Sequence, residues 1–135
     1  MDTPSGLLVP NVKDVQSRSV FQIAQELSRL QREGAAGRLG PTDLADGTIS
    51  ISNIGSIGGV HASPVLLPPE VCIMALGRVQ TLPRFGPGNA LEAHKLMSIT
   101  FSADHRIVDG ASIAHFAATM KRYLESPGTM LAHTA

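Results

Sequence analysis

The apolar positions of this chain change period along its length, and each change marks an element. Residues 6–12 form a short apolar run stopped by Pro10, which predicts a strand or strand end. From Val20 the period becomes helical. Val20, Ile23, Ala24, Leu27 and Leu30 fall on one face, with Gln25, Glu26, Arg29 and Arg32 opposite. Ser19 with Gln22 predicts a capping box at the start of this helix, and Gly34 and Gly37 predict its end. Residues 38–47, with Pro41, a candidate cap at Thr42, and Gly47, predict a turn or one short helical turn. Residues 48–53 alternate and predict a strand, which the glycines at 55, 58 and 59 then break. Residues 60–69 contain Pro64, Pro68 and Pro69 and predict an irregular connector. An apolar run from Val71 to Leu76 predicts a buried strand that continues past Gly77 toward Leu82. Gly86-Pro87-Gly88-Asn89 signals a loop, and residues 94–103 return as a second strand, so a β-hairpin is expected here. Last, Ile113, Phe116, Ala117, Met120 and Leu124 make a helical stripe, with termination expected at Pro127-Gly128. Strands and helices in this order predict an α/β fold.

Composition narrows the partners. The 135 residues are 43% hydrophobic and 16% charged, which is globular and long enough for one domain with a core. Eleven basic and eleven acidic residues cancel, so the chain has no polybasic footprint for nucleic acid or an anionic membrane. No apolar run approaches the ~20 residues of a membrane span. The single cysteine, Cys72, lies in an apolar run and predicts a core thiol. No pair of histidines has metal-ligand spacing on a shared helix face, so no metal is expected. His61 and His115 read as packed or solvated side chains.

One stretch concentrates chemistry. In residues 98–103 Ile99, Phe101 and Ala103 alternate with Ser98, Thr100 and Ser102, as in a strand. Asp104, His105, Arg106 and Asp109 then crowd together, closed by Gly110. A turn leaving a rigid strand suits a reactive group, and histidine can take and return a proton near neutral pH.

Asp104-His105-Arg106-x-x-Asp109-Gly110 resembles the active-site motif of the dihydrolipoamide acyltransferases, the E2 components of 2-oxo acid dehydrogenase complexes. Residues 51–59, Ile-Ser-Asn-Ile-Gly-Ser-Ile-Gly-Gly, form a second matching block. Residues 64–71, running on to Ala75-Leu76-Gly77 and Leu82-Pro83-Arg84-Phe85, form a third. Together they are similar to the branched-chain class of that family, over almost the whole chain. The resemblance implies a chloramphenicol-acetyltransferase-like acyltransferase domain. Residues 1–135 would be the C-terminal portion of the catalytic domain, opening mid-domain without its N-terminal part.

The implied reaction moves a branched acyl group between dihydrolipoamide and coenzyme A. Such a thiol-to-thiol transfer needs a base and an oxyanion donor. His105 suits the first role, with one ring nitrogen taking the thiol proton while a hydrogen bond holds the other. The hydroxyl of Ser52 suits the second, and one such donor is typically worth about 2.7–4 kcal/mol of barrier. Proximity supplies up to roughly 7–11 kcal/mol more. A Ser-His-Asp triad is not favoured, because the substrate thiol is already the nucleophile and no Gly-x-Ser-x-Gly elbow is present.

From the resemblance alone, Asp109 organises the site through an ion pair with an arginine, either Arg106 or one outside this chain. Asp2, Gln31, Ser52, Asn53 and Gly77 would lie toward coenzyme A, and Asn53 would donate beside Ser52 or position the ligand. The resemblance also implies a lipoyl group carried on a lipoyl domain absent from this chain. It implies a homotrimer that shares each channel between neighbouring subunits and builds a larger core. E1 and E3 components would be reached through other domains. The compartment is the mitochondrial matrix for a eukaryotic source and the cytoplasm for a bacterial one. Two rivals stand beside this reading. One is the same chemistry with an acetyl or succinyl donor. The other is a truncated, non-catalytic core or assembly module.

Overall fold

Short polar caps and tight glycines, more than long apolar runs, set the boundaries of the elements. The computed structural model describes residues 1–4 and 6–133. The chain divides into two compact units: residues 1–47 together with the stretch from Ala114 onward, and residues 48–113.

In the first unit β1 (Asp2–Thr3) pairs antiparallel with β2 (Gly6–Leu7), so the expected N-terminal strand is only two residues long. Helix α1 (Val20–Ala35) carries the predicted capping box. The Ser19 amide donates to Gln22 Oε1 at 2.8 Å, and Ser19 Oγ accepts from the Gln22 amide at 3.3 Å. The helix ends at Ala35, between the two glycines expected to stop it. A Cβ at Gly34 would lie 2.6 Å from Met1 Sδ, so this glycine makes room for packing, and Gly37, at φ +67°, takes the chain out of the helix. Leu30 is the buried anchor of the apolar stripe, while Val20 and Leu27 stay about half exposed. Helix α2 (Pro41–Leu44) is the expected single turn, but it is capped at Gly40 and not at Thr42. Pro41 pre-sets the first position, and Asp43 Oδ2 accepts the Gly40 amide at 3.0 Å. Arg29 ties α1 to α2 by pairing with Glu26 at 2.7 Å and Asp43 at 2.6 Å.

The second unit holds a three-stranded sheet of order β3-β4-β7. Strand β3 (Ser50–Asn53) runs parallel to β4 (Cys72–Leu76). The strand expected past Gly77 stops at Leu76. The chain then makes a separate ribbon of β5 (Gln80–Phe85) and β6 (Leu91–Leu96) before returning as β7 (Ile99–Ala103), antiparallel to β4. The predicted hairpin therefore exists in two registers, one in the sheet and one in the ribbon, with breaks at residues 77–79 and 97–98. Ile73, Met74 and Ala75 are buried because β4 is central, whereas Phe85 and Leu91, paired across the ribbon, are 77% and 71% exposed.

Helix α3 (Gly110–Glu125) follows β7, as its stripe predicted. Helix α3 ends just before Pro127, as expected. Pro127 then opens α4 (Pro127–His133), with the Ser126 carbonyl accepting the Thr129 amide at 2.9 Å.

Candidate active site

The turn after β7 is built around Asp104. Its amide donates to the Val71 carbonyl at 2.9 Å, and its own carbonyl accepts both the Ile107 and Val108 amides at 2.9 Å. Its carboxylate accepts the Arg106 amide at 3.0 Å and the Arg106 guanidinium in a forked pair, the shortest contact being 2.6 Å. The Arg106 guanidinium beside it, helped by the Arg106 amide, holds the Asp104 carboxyl down to about 2. Asp104 thus braces the backbone on both sides of His105, whose ring is exposed. Among the described residues no hydrogen bond is made to either His105 nitrogen.

Asp109 ends the turn as the cap of α3. Its Oδ1 accepts the Ser112 amide at 2.7 Å, and its carbonyl accepts the Ile113 amide at 3.2 Å. The Ser112 amide first, then the Ser112 hydroxyl, the His105 charge and the Ala111 amide lower the Asp109 pKa. Arg106, one of the two alternatives for the arginine expected to pair with Asp109, places its guanidinium on Asp104 in this chain. Sequence reasoning missed this role for Asp104. The signal was present in Asp-x-Arg at a strand exit, a spacing at which an Asx-type turn brings the guanidinium back onto the carboxylate.

At the other end of the sheet, Ser52 sits in β3 and is half-buried. Its hydroxyl makes no hydrogen bond among the described residues and is able to donate. Asn53 follows with its side chain committed in part: Oδ1 accepts the Gly55 amide at 3.0 Å and the Ser56 amide at 3.3 Å, closing the loop. Only its amide nitrogen is left to donate outward. Backbone bonds stitch the glycine loop to the exit of β4. The Ile54 amide reaches the Leu76 carbonyl at 3.1 Å, and the Arg78 amide reaches the Gly59 carbonyl at 2.8 Å. Gly77 lies in this seam. A Cβ there would fall 2.1 Å from the Val60 carbonyl oxygen, and one at Gly55 would fall 2.7 Å from the backbone at Gly77 and Arg78. Both positions demand glycine for close backbone approach, a reason independent of any ligand. His61, expected to be an unremarkable histidine, clamps the same seam through Nδ1 to Ser98 Oγ at 3.0 Å.

The register decides how these groups relate. Ser52 pairs with Ala75, and Ala75 with Thr100, toward the Leu76 end of β4. Ala103, the last β7 residue before the His105 turn, pairs with Cys72 at the opposite end. Thr100 and Ala103 are about 10 Å apart along the strand. Within one chain Ser52 and His105 are therefore not neighbours. Asp2, in β1, and Gln31, in α1, are exposed residues of the other unit. Cys72, expected in the core, is half-buried at the sheet end, where burial pushes its thiol up.

Residues 1–132 match the family model described as 2-oxoacid dehydrogenases acyltransferase (catalytic domain). The chain belongs to this family. It is 56% identical over 131 residues to the lipoamide acyltransferase component of the branched-chain alpha-keto acid dehydrogenase complex, mitochondrial, of Mus musculus, covering 97% of this chain and 27% of that protein. Among solved structures it is similar to Azotobacter vinelandii dihydrolipoamide acetyltransferase, with a TM-score of 0.89 and 32% identity over 96% of this chain and 53% of that one. That structure was investigated for the role of a serine, a histidine and an asparagine in the catalytic mechanism. The histidine and asparagine are four positions apart, as are His105 and Asp109. The cubic core of a pyruvate dehydrogenase multienzyme complex matches with a TM-score of 0.90 and 30% identity, over 97% of this chain and 54% of that one. The chain thus spans about a quarter of the length of its curated relative and about half of each solved neighbour. The α/β fold expected from the sequence is that of the acyltransferase cores in this family.

Proposed function

We propose that this chain forms part of an acyltransferase moving a branched acyl group between dihydrolipoamide and coenzyme A. The observation that carries the reading is His105, exposed on a turn that Asp104 and Asp109 brace on either side, in a chain of this family. His105 takes the proton from the attacking thiol. The thiolate adds to the thioester carbonyl, and the Ser52 hydroxyl donates to the oxyanion. Collapse expels the other sulfur, which leaves with the proton held by His105. Coenzyme A and the lipoyl thiol are substrates, the latter delivered on a lipoyl domain. Asp2, Gln31, Gly77 and the amide nitrogen of Asn53 are assigned to the coenzyme A side.

The wide separation of Ser52 and His105 supports a site shared between neighbouring chains of a homotrimer, each supplying one of the two groups. Open apolar side chains such as Phe85 and Leu91, and the similarity to a cubic core, support further assembly. E1 and E3 components are the partners beyond that core. A branched donor is favoured over acetyl or succinyl by the 56% identity to a branched-chain relative against 32% to an acetyltransferase. The relative is named as mitochondrial, which supports the mitochondrial matrix for a eukaryotic source; for a bacterial source the compartment is the cytoplasm.

The test is transfer from isobutyryl-CoA to dihydrolipoamide by this chain, His105→Ala and Ser52→Ala, with acetyl and succinyl donors in parallel. His105→Ala is expected to lose ~10²- to 10⁴-fold and Ser52→Ala ~10²- to 10³-fold in kcat. Undiminished transfer by His105→Ala would overturn the reading, and an inert wild-type chain would favour the assembly-module rival. Faster acetyl transfer would overturn only the donor assignment.

A further inference from the structure

The buried polar residue of the sheet is Ser50, only 6% exposed. Its hydroxyl donates to Glu70 Oε2 at 2.5 Å. A buried hydroxyl needs a partner, and a carboxylate acceptor gives a stronger bond than a neutral one. Strand alternation puts Ser50 on the same face of β3 as Ser52, two positions on. Glu70 does not reach this hydroxyl from a loose loop. Its amide donates to the Leu67 carbonyl at 3.0 Å, closing a turn just before β4. The next residue, Val71, supplies the carbonyl that accepts the Asp104 amide at 2.9 Å. Two consecutive residues therefore grip both halves of the candidate machinery. Glu70 holds the strand of Ser52 by its side chain, and Val71 holds the turn of His105 by its main chain.

We propose that Glu70 is a positioning residue for acyl transfer, acting through Ser50 to fix the strand that carries Ser52. The proposal rests on the acyltransferase reading above. Glu70 makes its bond two residues before the donor and does not touch the reacting atoms. A misplacement of about 1 Å far from the chemistry can cost ~100-fold in rate, so a lost anchor at this distance is felt in kcat and not in substrate binding.

The experiment compares this chain with Glu70→Ala, Glu70→Gln, Ser50→Ala and His105→Ala. It reads steady-state transfer and amide exchange at Ile54, bonded to Leu76, and Asp104, bonded to Val71. Glu70→Ala is expected to lower kcat about tenfold with KM for coenzyme A nearly unchanged, and to speed exchange at Ile54 about tenfold. Glu70→Gln, which keeps an acceptor oxygen, restores most of both, and adding Ser50→Ala to Glu70→Ala costs nothing further. Wild-type kcat and exchange in Glu70→Ala overturn the proposal. So does exchange that speeds equally throughout the sheet, which marks a merely structural role. If His105→Ala loses transfer while Glu70→Ala does not, positioning alone fails. If His105→Ala transfers like wild type, the acyltransferase reading fails, and unchanged exchange at Ile54 then overturns the anchor as well.

Discussion

The loop that follows Ser52 after β3 and the turn that bears His105 after β7 adjoin the two halves of the candidate site, and they are built by opposite means. Residues 54–59 are shaped by missing side chains. Gly55 lies against the seam at Gly77 with no room for a Cβ, and Gly58 sits at φ +95°. Residues 104–109 are shaped by charged side chains, an Asp104–Arg106 fork and an Asp109 cap, with open space around the adjoining Gly110. The first design is set by close backbone contact. The second is held by solvent-exposed charge, which leaves His105 accessible and the turn dependent on ionisation. The loop after β3 therefore breaks by sterics and the turn of His105 by electrostatics.

The largest break is expected at Gly77→Ala. Its Cβ would meet the Val60 carbonyl, where the obstacle is backbone and cannot swing aside. A loss of about 3 kcal/mol in denaturant unfolding is expected. Gly110→Ala is the control from the other region. With nothing within 4 Å of the new Cβ, it should be neutral or stabilise by up to about 1 kcal/mol. Equal costs at the two glycines would erase the contrast.

A smaller effect is expected at Asp109→Ala, which removes the cap of α3. The melting temperature should fall by a few degrees, and Asp109→Ser should recover most of it because serine caps as well. No recovery would mean that the charge near His105, and not the cap, is what matters.

The smallest effect at neutral pH is expected for Asp104→Asn, since exposed ion pairs contribute little and are screened by salt. Its signature is the pH window. The folded Asp104 carboxyl is held at about 2, below its ordinary 3.8, so its contribution is complete above about pH 4. That contribution is lost as pH falls from there toward 2. Amide exchange at Ile107 should therefore rise in this window while exchange at Gly59 does not follow it. Parallel behaviour of the two amides would show that both regions depend on the same charge.

Much of this was legible in the chain. The capping box at Ser19, the alternation of residues 48–53, of which 50–53 form the strand, and the stripe from Ile113 to Leu124 marked the main elements, because each is a local pattern with a local cause. The helix end between Gly34 and Gly37 was legible too, but only the approach of Met1 reveals Gly34 as a packing site as well. The strand from Val71 to Leu76 was legible, whereas its continuation past Gly77 fails because the break is imposed by Val60 and Ser98 from elsewhere in the sequence. The candidate residues were also proposed from local motifs, but the matching block 64–71 gave Glu70 no role, because its carboxylate meets Ser50 across twenty positions.

By itself the sequence determined the order of elements, the family and which side chains are proposed as base and donor. Those depend on side-chain type and short-range period, which the chain states directly. The tertiary structure alone decided that Arg106 places its guanidinium on Asp104. It also decided that Ser52 and His105 lie toward opposite ends of β4. Partner choice and strand register are set by which distant backbone groups find each other when the sheet closes, and no local spacing encodes that.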